Sequence, residues 1–300
     1  ATMHQTMLFF TRKGRCYWLK CYEIPEGDKN FKGRAIQNML NIEPDDTVNA
    51  MLRLRGLNDE EFVNSHYVVF ATKNGTIKKT CLEAYSRPRT NGVNAINIVE
   101  GDEVVDVRLT NGKNEIILAN RNGRAVRFDE NTVRSMGRVS TGVRGMQLDG
   151  DDDQVVGMII VNNAETETVM VVSENGYGKR SQVEDYRKTN RGGKGVKTFS
   201  ITEKTGRLVA IKNVTDDNDL MIINKSGIAI RLAVSDCRVM GRATQGVRLI
   251  NLSKKNDVIA SVCKVMSSEL EAKLADDNSA TEPEATEATE AKETNPENEK

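Results

Sequence analysis

Residues 116–128 of the chain read IILANRNGRAVRF, and this stretch decides the fold. An apolar run at 116–118 is followed by Asn122-Gly123 and then by a second run that alternates basic and apolar residues. Asn-Gly is the dipeptide that most readily accepts the positive φ angles of a tight hairpin turn. A short continuous apolar run is typical of a strand buried on both faces. The stretch therefore predicts a β-hairpin inside an all-β core.

The same pattern occurs five times along the 300 residues. The other copies are LFFTRKGRCYWLK (8–20), VVFATKNGTIKKT (68–80), VMVVSENGYGKRS (169–181) and LMIINKSGIAIRL (220–232). The turn glycines are Gly14, Gly75, Gly123, Gly176 and Gly227, and a second glycine follows each by 17 to 19 residues. The second glycines are Gly33, Gly92, Gly142, Gly195 and Gly246. Such constant spacing indicates one duplicated structural unit.

Each unit is predicted to contain about four strands. Two form the hairpin, a third follows the second glycine, and a fourth follows an acidic turn such as the one at 100–103. Four strands in about 50 residues correspond to one blade of a propeller. We therefore predict an all-β, propeller-like disc, a β-pinwheel, with one domain over 1–266. Its repeats are expected at about 1–62, 63–112, 113–163, 164–215 and 216–266.

Charge is distributed unevenly between this domain and the C-terminal segment. The formal net charge of the chain is zero, but residues 267–300 contain 11 acidic residues against 3 lysines. The segment 267–300 is acidic and of low complexity, which predicts a mostly disordered tail after at most a short helix. The remaining domain has a net charge of +8, which indicates a polyanionic partner.

Signals for catalysis, metals and membranes are absent from the sequence. The five cysteines are odd in number and form no CxxC pair, so reduced, mostly buried thiols are expected. His4 and His66 lack the spacing of a metal site or triad, and the glycine-rich loop 189–195 lacks P-loop spacing. No apolar run approaches the ~20 residues that span a bilayer. No metal or cofactor is expected in this chain.

Basic residues recur in phase with the repeat. One set stands four residues after the turn glycine, at Lys79, Arg127, Arg180 and Arg231, and the first repeat has Trp18 there. A second set lies in the loop before the second glycine. Its members are Lys29, Lys32, Arg87, Arg89, Arg134, Arg138, Arg187, Lys188, Arg191, Lys194, Arg238 and Arg242.

Equivalent positions of successive blades lie on one rim of a disc. The two sets should therefore form an exposed, curved band of cations, which suits the phosphates of a bent DNA duplex. Phosphate contacts carry no sequence information by themselves. The predicted DNA-binding residues are Lys20, Lys32, Lys79, Arg87, Arg89, Arg127, Arg138, Lys179, Arg180, Arg191, Lys194, Arg231 and Arg242.

Five stretches carry a family resemblance: VVFATKNGTIKKT (68–80), EGDEVVDVRLT (100–110), VRSMGRVSTGVRGMQL (133–148), SENGYGKRSQVEDY (173–186) and VMGRATQGVRLI (239–250). They resemble the DNA-wrapping C-terminal domain of bacterial DNA gyrase A subunits, a type IIA topoisomerase family. The resemblance covers residues 7–266. It implies a six-bladed β-pinwheel whose hairpins exchange strands and whose basic rim wraps duplex DNA during ATP-dependent negative supercoiling.

The resemblance also implies partners and a location. Besides double-stranded DNA, the partners would be the rest of the gyrase A subunit, together with the gyrase B subunit. The location would be the bacterial cytoplasm at the nucleoid, with no membrane. The catalytic tyrosine, the ATPase site, ATP and Mg²⁺ would belong to the holoenzyme outside this chain.

The sequence departs from the family pattern in two ways. The family's Gln-Arg-Arg-Gly-Gly-Lys-Gly box lies in the first blade, whereas here the nearest match is Thr189 to Gly195 in the fourth repeat, with Thr189 and Asn190 in place of Gln and Arg. Five repeats are visible instead of six. Both departures fit a chain that starts at the second blade. The alternatives are the equivalent domain of topoisomerase IV and a non-catalytic propeller that scaffolds protein partners.

Overall fold

The predicted all-β class is confirmed by the computed structural model, which describes residues 2–27, 32–252 and 257–267. Five small antiparallel sheets follow one another around a ring. The strands of the described residues are β1 (Thr6–Thr11), β2 (Arg15–Lys20), β3 (Val48–Leu54), β4 (Tyr67–Thr72), β5 (Thr76–Cys81), β6 (Val93–Asn94), β7 (Val104–Thr110), β8 (Glu115–Asn120), β9 (Arg124–Asp129), β10 (Val143–Arg144), β11 (Val155–Val161), β12 (Thr168–Ser173), β13 (Tyr177–Gln182), β14 (Val196–Lys197), β15 (Leu208–Val214), β16 (Asn218–Asn224), β17 (Ala229–Ala233), β18 (Val247–Arg248) and β19 (Ile259–Met266).

Helical structure is confined to short segments in the described residues. The α-helix α1 (Glu60–Ser65) begins at Asp59, whose carboxylate accepts a hydrogen bond from the Phe62 backbone N–H at 3.0 Å. Single 3₁₀ turns follow the second hairpin strand of every repeat, and one more lies in the first repeat. The 3₁₀ turns are Cys21–Glu23, Ile36–Asn38, Leu82–Tyr85, Glu130–Thr132, Val183–Asp185 and Val234–Asp236. The short helix expected after residue 267 lies outside the described residues.

The hairpins form the middle of each sheet, as the Asn-Gly and related turns predict. In the third sheet, β8 pairs with β9, and Gly123 adopts a φ of 78°. The last strand of each repeat pairs with the first hairpin strand, so β11 lies beside β8. The strands β3, β7, β11, β15 and β19 also contact one another in series. They form the inner edge of the ring.

The strand that follows the second glycine leaves its own repeat and pairs with the preceding hairpin. In β14, Val196 and Lys197 pair with Ala125 and Arg124 of β9. The exchange requires close backbone contact, because a Cβ on Gly195 would lie 2.3 Å from the carbonyl oxygen of Ala125. β6, β10 and β18 join the sheets of β2, β5 and β13 in the same way. These exchange strands form the outer edge of the ring.

The two ends of the series lack this exchange within the described residues. The fifth sheet has three strands, so the edge of β17 is uncovered and Ile230 is 37% exposed. At the other end, the prediction of a strand after the second glycine is wrong for the first repeat, where the segment forms the 3₁₀ turn at Ile36–Asn38. A strand of only a few residues needs a partner edge, and residues 2–27, 32–252 and 257–267 include no hairpin of a preceding repeat for this segment to join.

Apolar contacts between neighbouring sheets form the core. Between the first two sheets, Phe10 packs against Phe70 with ring centroids 5.3 Å apart, and both side chains are fully buried. Equivalent clusters lie between each later pair of sheets. Each blade is therefore stabilised by its neighbours, as in other repeat proteins.

All five cysteines are free thiols. The expectation that most of them are buried is wrong, since only Cys16 and Cys237 are buried and Cys263 is exposed.

Candidate nucleic-acid interface

The basic residues four positions after the turn glycine connect neighbouring blades. The Nζ of Lys79 lies 3.1 Å from the carbonyl oxygen of Glu130 and 3.6 Å from its carboxylate. The two side chains are 6% and 0% exposed. Glu130 also accepts hydrogen bonds from the Thr110 hydroxyl and the Asn114 backbone N–H. Lys79 is thus part of a buried polar network that joins the second and third repeats.

Arg127 makes the equivalent connection from the third repeat to the fourth. Its Nη1 donates to the carbonyl oxygens of Val183 and Tyr186 at 2.8 and 3.1 Å, within and just after the next 3₁₀ turn. Its Nη2 lies 2.6 Å from the Glu115 carboxylate, which Lys188 also contacts at 2.9 Å. These hydrogen bonds lower the pKa of Glu115, against the effect of partial burial, which is the largest single influence.

Arg180 and Arg231 complete the set. Arg180 is 6% exposed, and its guanidinium contacts the Thr168 hydroxyl and the Asp216 carboxylate, both at 2.6 Å. Arg231 pairs with Asp219 at 2.6 Å, but its side chain is 39% exposed because no described blade follows it. The expectation that these four positions form an exposed band is therefore wrong for Lys79 and Arg180.

Trp18 explains what this position requires. Its indole N–H donates to the carbonyl oxygen of Tyr85 at 2.9 Å, in the 3₁₀ turn of the second repeat. A neutral donor in the first repeat thus reaches the same element of the next repeat that Lys79 and Arg127 reach. The recurrent property is a side-chain donor between blades rather than a surface charge.

Two other predicted residues also point away from solvent. Lys179 is 1% exposed, and its Nζ donates to the carbonyl oxygen of Gly241 at 2.8 Å. Lys20 is partly buried and donates to the Thr6 hydroxyl at 2.8 Å. Burial and the nearby Arg242 lower the pKa of Lys179 to about 7.

The loops before the second glycines lie on the outer edge of the ring. The loops of the third, fourth and fifth repeats each form a parallel bridge with the outer hairpin strand of the preceding blade. These bridges join Lys79 with Ser135, Arg127 with Lys188, and Arg180 with Val239. The predicted residues of these loops differ in exposure. Lys32, Arg87, Arg89 and Lys194 are exposed, whereas Arg138, Arg191 and Arg242 are partly buried.

The partly buried loop arginines hold one loop to the next. Arg191 donates to the carbonyl oxygens of Thr132 and Arg144 at 2.9 and 3.0 Å. Arg242 donates to the carbonyl oxygen of Lys197 at 2.7 Å, one repeat later. Carbonyl oxygens do not neutralise a guanidinium, so the positive charge remains at the outer edge.

Three arginines occupy the same exposed place beside the bridges. Arg134, Arg187 and Arg238 each lie eleven residues after a turn glycine and eight before a second glycine. All three are exposed, and none of their side chains forms a hydrogen bond or an ion pair with the described residues. We call them the rim arginines. Because they recur at the same position of successive repeats and their guanidinium groups have no protein partner among the described residues, they are better phosphate ligands than the buried Lys79 and Arg180.

Sequence reasoning missed a second cationic row on the exchange strands. Arg144, Lys197 and Arg248 are the second residues of β10, β14 and β18, and all three are exposed. The Cζ of Arg248 lies 5.5 Å from the centroid of the Tyr177 ring. The signal was present as Gly-Val-Arg or Gly-Val-Lys after three of the second glycines.

A shallow cavity of about 240 Å³ lies under the glycine-rich loop of the fourth repeat. Arg127, Arg187 and Lys194 line it together with the backbone of Gly193 and Gly195. Lys194 also contacts Asp149 at 2.9 Å, and this hydrogen bond lowers the pKa of Asp149. A concave site with cationic walls and accessible backbone suits an anionic group of the size of a phosphate.

The described residues contain neither a metal site nor a membrane-spanning helix that would compete with the outer edge as the functional site. Across 2–27, 32–252 and 257–267, no group of three or more His, Cys, Asp or Glu side chains is arranged to hold a metal ion. None of the helices in these ranges has the length and apolarity that spanning a bilayer requires. The outer edge, with its rim arginines and exchange-strand cations, is the candidate interface.

Comparisons with known proteins agree with this geometry. The family model described as DNA gyrase C-terminal domain, beta-propeller, matches residues 5–55, 66–111, 114–162, 167–215 and 218–263. The DNA gyrase A subunits of the Staphylococcus aureus strains NCTC 8325 and COL are 44% identical over 262 residues, which cover 87% of this chain and 29% of those proteins. The chain thus spans less than a third of the length of these curated relatives.

Solved structures show the same architecture. The crystal structure of the C-terminal domain of DNA topoisomerase IV matches with a TM-score of 0.79 and 27% identity, covering 92% of this chain and 84% of that one. The DNA gyrase A C-terminal domain matches with a TM-score of 0.75 and 24% identity, covering 89% and 84%. The second likeness concerns the fold alone.

Proposed function

This chain belongs to the family of DNA gyrase C-terminal domains, and on that premise we propose that it binds duplex DNA and bends it around its outer edge. The observation that carries the proposal is the set of rim arginines, Arg134, Arg187 and Arg238, exposed in phase and without a partner among the described residues. The exchange-strand cations lie on the same edge. Contacts of this kind neutralise phosphates and position the duplex without reading its sequence.

A ring edge is convex, so DNA that follows it must bend. Smooth bending of 20–30 base pairs by 40–90° costs roughly 1–6 kcal/mol. One phosphate contact offsets little of this cost, but cations repeated from blade to blade supply many contacts along the same path. Sequence preference then reflects how easily a given duplex bends.

Within the whole enzyme, we propose that this wrap supports ATP-dependent negative supercoiling by gyrase, and that the partners are the rest of the A subunit, together with the B subunit. The identity to gyrase A subunits supports this assignment. A DNA substrate of this kind implies that the enzyme acts on the bacterial chromosome. ATP hydrolysis, Mg²⁺ and strand cleavage belong to other parts of that enzyme.

The equivalent domain of topoisomerase IV is the second candidate, favoured by the structural likeness to such a domain. Replacing the C-terminal domain of a gyrase A subunit with this chain, in the presence of ATP and the gyrase B subunit, separates the two. Introduction of negative supercoils supports a gyrase function. Decatenation without supercoiling supports the topoisomerase IV function.

The proposal is tested by the salt dependence of DNA binding and by a triple variant of the rim. If 6–10 phosphates are contacted, the affinity of the chain for duplex DNA should fall by ~10³–10⁵ between 50 and 200 mM salt. The variant R134Q/R187Q/R238Q should bind more weakly, and the slope of log K against log salt should fall by about 0.9 for each lost contact.

The matched control removes the same charge away from the outer edge. Arg53, Arg55 and Lys113 are exposed cations on or beside the inner strands, and R53Q/R55Q/K113Q should retain the wild-type salt slope. Equal losses in both triple variants would show that net charge, rather than the outer edge, governs binding. An absence of DNA binding by the wild-type chain at low salt would refute the proposed function.

A further inference from the structure

Two buried lysines connect the outer-edge loops to the sheets. Lys78, in β5, is fully buried, and its Nζ donates to the carbonyl oxygens of Ala95 and Arg138, both at 2.5 Å. Ala95 follows the exchange strand of the same repeat, and Arg138 lies in the loop of the next repeat. One ammonium group therefore joins an exchange strand to the loop that carries an outer-edge arginine.

The same device recurs two repeats later. Lys179 also lies three residues after its turn glycine and is 1% exposed. Its Nζ donates to the carbonyl oxygens of Gly241 and Arg242 and lies 3.4 Å from the Thr244 hydroxyl. These acceptors belong to the loop of the fifth repeat, which also carries the rim arginine Arg238.

The third blade shows how a loop is held without a lysine. Val126 occupies the equivalent position there, and it is 1% exposed. The following loop is instead held by Arg191, whose side chain donates to two carbonyl oxygens, and by the Gly192 backbone N–H, which donates to Gly145 at 2.7 Å. A buried lysine is therefore not required by the sheet itself, since an apolar side chain fits the same place.

Burial of the two ammonium groups lowers the stability of the fold, which indicates that these lysines have a role other than stability. Burial, with a contribution from Arg138, lowers the pKa of Lys78 to about 7. The hydrogen-bond partners of both ammonium groups are carbonyl oxygens and one hydroxyl, and no carboxylate within the described residues forms an ion pair with either. A buried cation held only by neutral acceptors is expected to cost more than an apolar side chain of similar volume.

We propose that Lys78 and Lys179 are positioning residues for DNA binding, each holding a loop so that its arginines face the phosphate backbone. The proposal rests on the proposed function of the outer edge. Lys78 holds the loop of Arg134 and Arg138, and Lys179 holds the loop of Arg238 and Arg242.

Protonation of these lysines should tune the affinity for DNA. Arg138 acts on the charge of Lys78, and the Tyr85 hydroxyl donates to the same Ala95 carbonyl oxygen as Lys78 does. Burial raises the pKa values of the Tyr85 hydroxyl and of the Cys16 thiol, which lies near Tyr85 and Arg138. Around Lys179 lie the charged groups of Arg242, Lys197 and Asp185 and the Tyr186 hydroxyl, whose pKa burial raises to about 12. The thiol and the two hydroxyls therefore stay protonated near neutrality. As the pH rises through about 7, the lysines lose charge and a donor, and the loops lose part of their attachment.

The first experiment measures DNA affinity of the full chain with K78M/K179M, in which the volume is kept and the ammonium groups are lost. We expect thermal stability equal to or above that of the wild type. We expect weaker DNA binding, with a salt slope smaller by about 0.9 for each loop that loses a phosphate contact. K113M, which removes an exposed charge away from the outer edge, is the control and should bind as the wild type does.

A double-mutant cycle separates positioning from general charge loss. K78M should weaken binding in the wild-type background and have little further effect in an R138A/R134A background, because the arginines through which Lys78 acts are gone. An equal effect of K78M in both backgrounds overturns the proposal. So does wild-type affinity of K78M/K179M, given that the wild type binds DNA. A wild-type chain that fails to bind DNA instead refutes the proposed function.

The pH profile decides the question if the methionine variants do not fold. It is measured between pH 6 and 8.5 on H4Q/H66Q, because histidine is the other side chain that ordinarily titrates in this range. We expect DNA affinity to fall as the pH rises through about 7. A flat profile overturns the proposal.

Discussion

Lys79 and Trp18 occupy the same position of two successive repeats, four residues after the turn glycine. Both donate a hydrogen bond to the 3₁₀ turn of the following repeat. The cation differs from the indole in one respect, since it also faces the buried carboxylate of Glu130 at 3.6 Å. The charge of Lys79 is therefore tied to a local partner rather than to an external polyanion.

This arrangement predicts that K79A lowers stability. The substitution leaves the Glu130 carboxylate buried without its cation, and removal of one partner of a buried pair typically costs about 3–5 kcal/mol. Denaturant unfolding of the full chain measures the change. The double variant K79M/E130Q, which removes both charges, should be less destabilised. Exposed Arg134 gives a second control, since R134A should change the free energy of unfolding by less than about 0.5 kcal/mol. Unfolding of K79A at the wild-type denaturant concentration would contradict this account.

Exchange strands make the blades interdependent, and their geometry depends on the second glycines. Gly195 and Gly33 have nearly the same φ, 73° and 72°. A Cβ on Gly195 would lie 2.3 Å from the Ala125 carbonyl oxygen, whereas a Cβ on Gly33 would have no neighbour within 4 Å. The first is pressed against the preceding hairpin, and the second is not, because the described residues include no hairpin before the first repeat.

Gly33 and Gly195 offer a matched test of how the exchange strands depend on close backbone contact with the preceding hairpin. G33A should lower the free energy of unfolding by about 1–2 kcal/mol, the usual cost of a left-handed conformation for a residue with a Cβ. G195A carries the same cost and in addition must displace β9 or β14, so its loss of stability should be clearly larger. Thermal or denaturant unfolding measures both. Equal losses would mean that the close approach at Gly195 does not limit the exchange.

The described residues form a series of five blades, and the two parts of the chain have opposite net charges. The domain over 1–266 is basic, and residues 276–300 have a net charge of −7. Residues 268–300 lie outside the described part of the structure. The expected effect of the tail on DNA binding therefore depends only on its charge and on its covalent attachment to the domain. A tethered segment can reach an effective concentration of about a millimolar.

We expect the acidic segment to compete with DNA for the outer edge. Deletion of residues 276–300 should tighten DNA binding, and the gain should shrink as salt screens the attraction over a Debye length of ~8–10 Å. Binding curves of the two chains at 10 and 150 mM salt measure this. Equal affinity at the lower salt concentration would assign the segment another role, such as solubility.

Local conformational preferences explain what the sequence by itself determined. Asn122-Gly123 and its equivalents predict hairpins because only a residue such as glycine enters the required turn without strain, and this preference is visible without any neighbour. The constant spacing to a second glycine predicts the number of repeats. The all-β class, the five hairpins and the acidic composition of the segment after residue 266 all follow from such local signals.

Only the tertiary structure decided where strands pair and which cations reach solvent. β14 lies on the preceding hairpin rather than in its own repeat, and no local preference distinguishes these two positions. Lys79 and Arg134 are equally basic in the sequence, yet one is buried by the next blade and the other is exposed beside it. The physical reason is that burial depends on what the neighbouring repeat places over a side chain, and that contact lies 50 or more residues away along the chain.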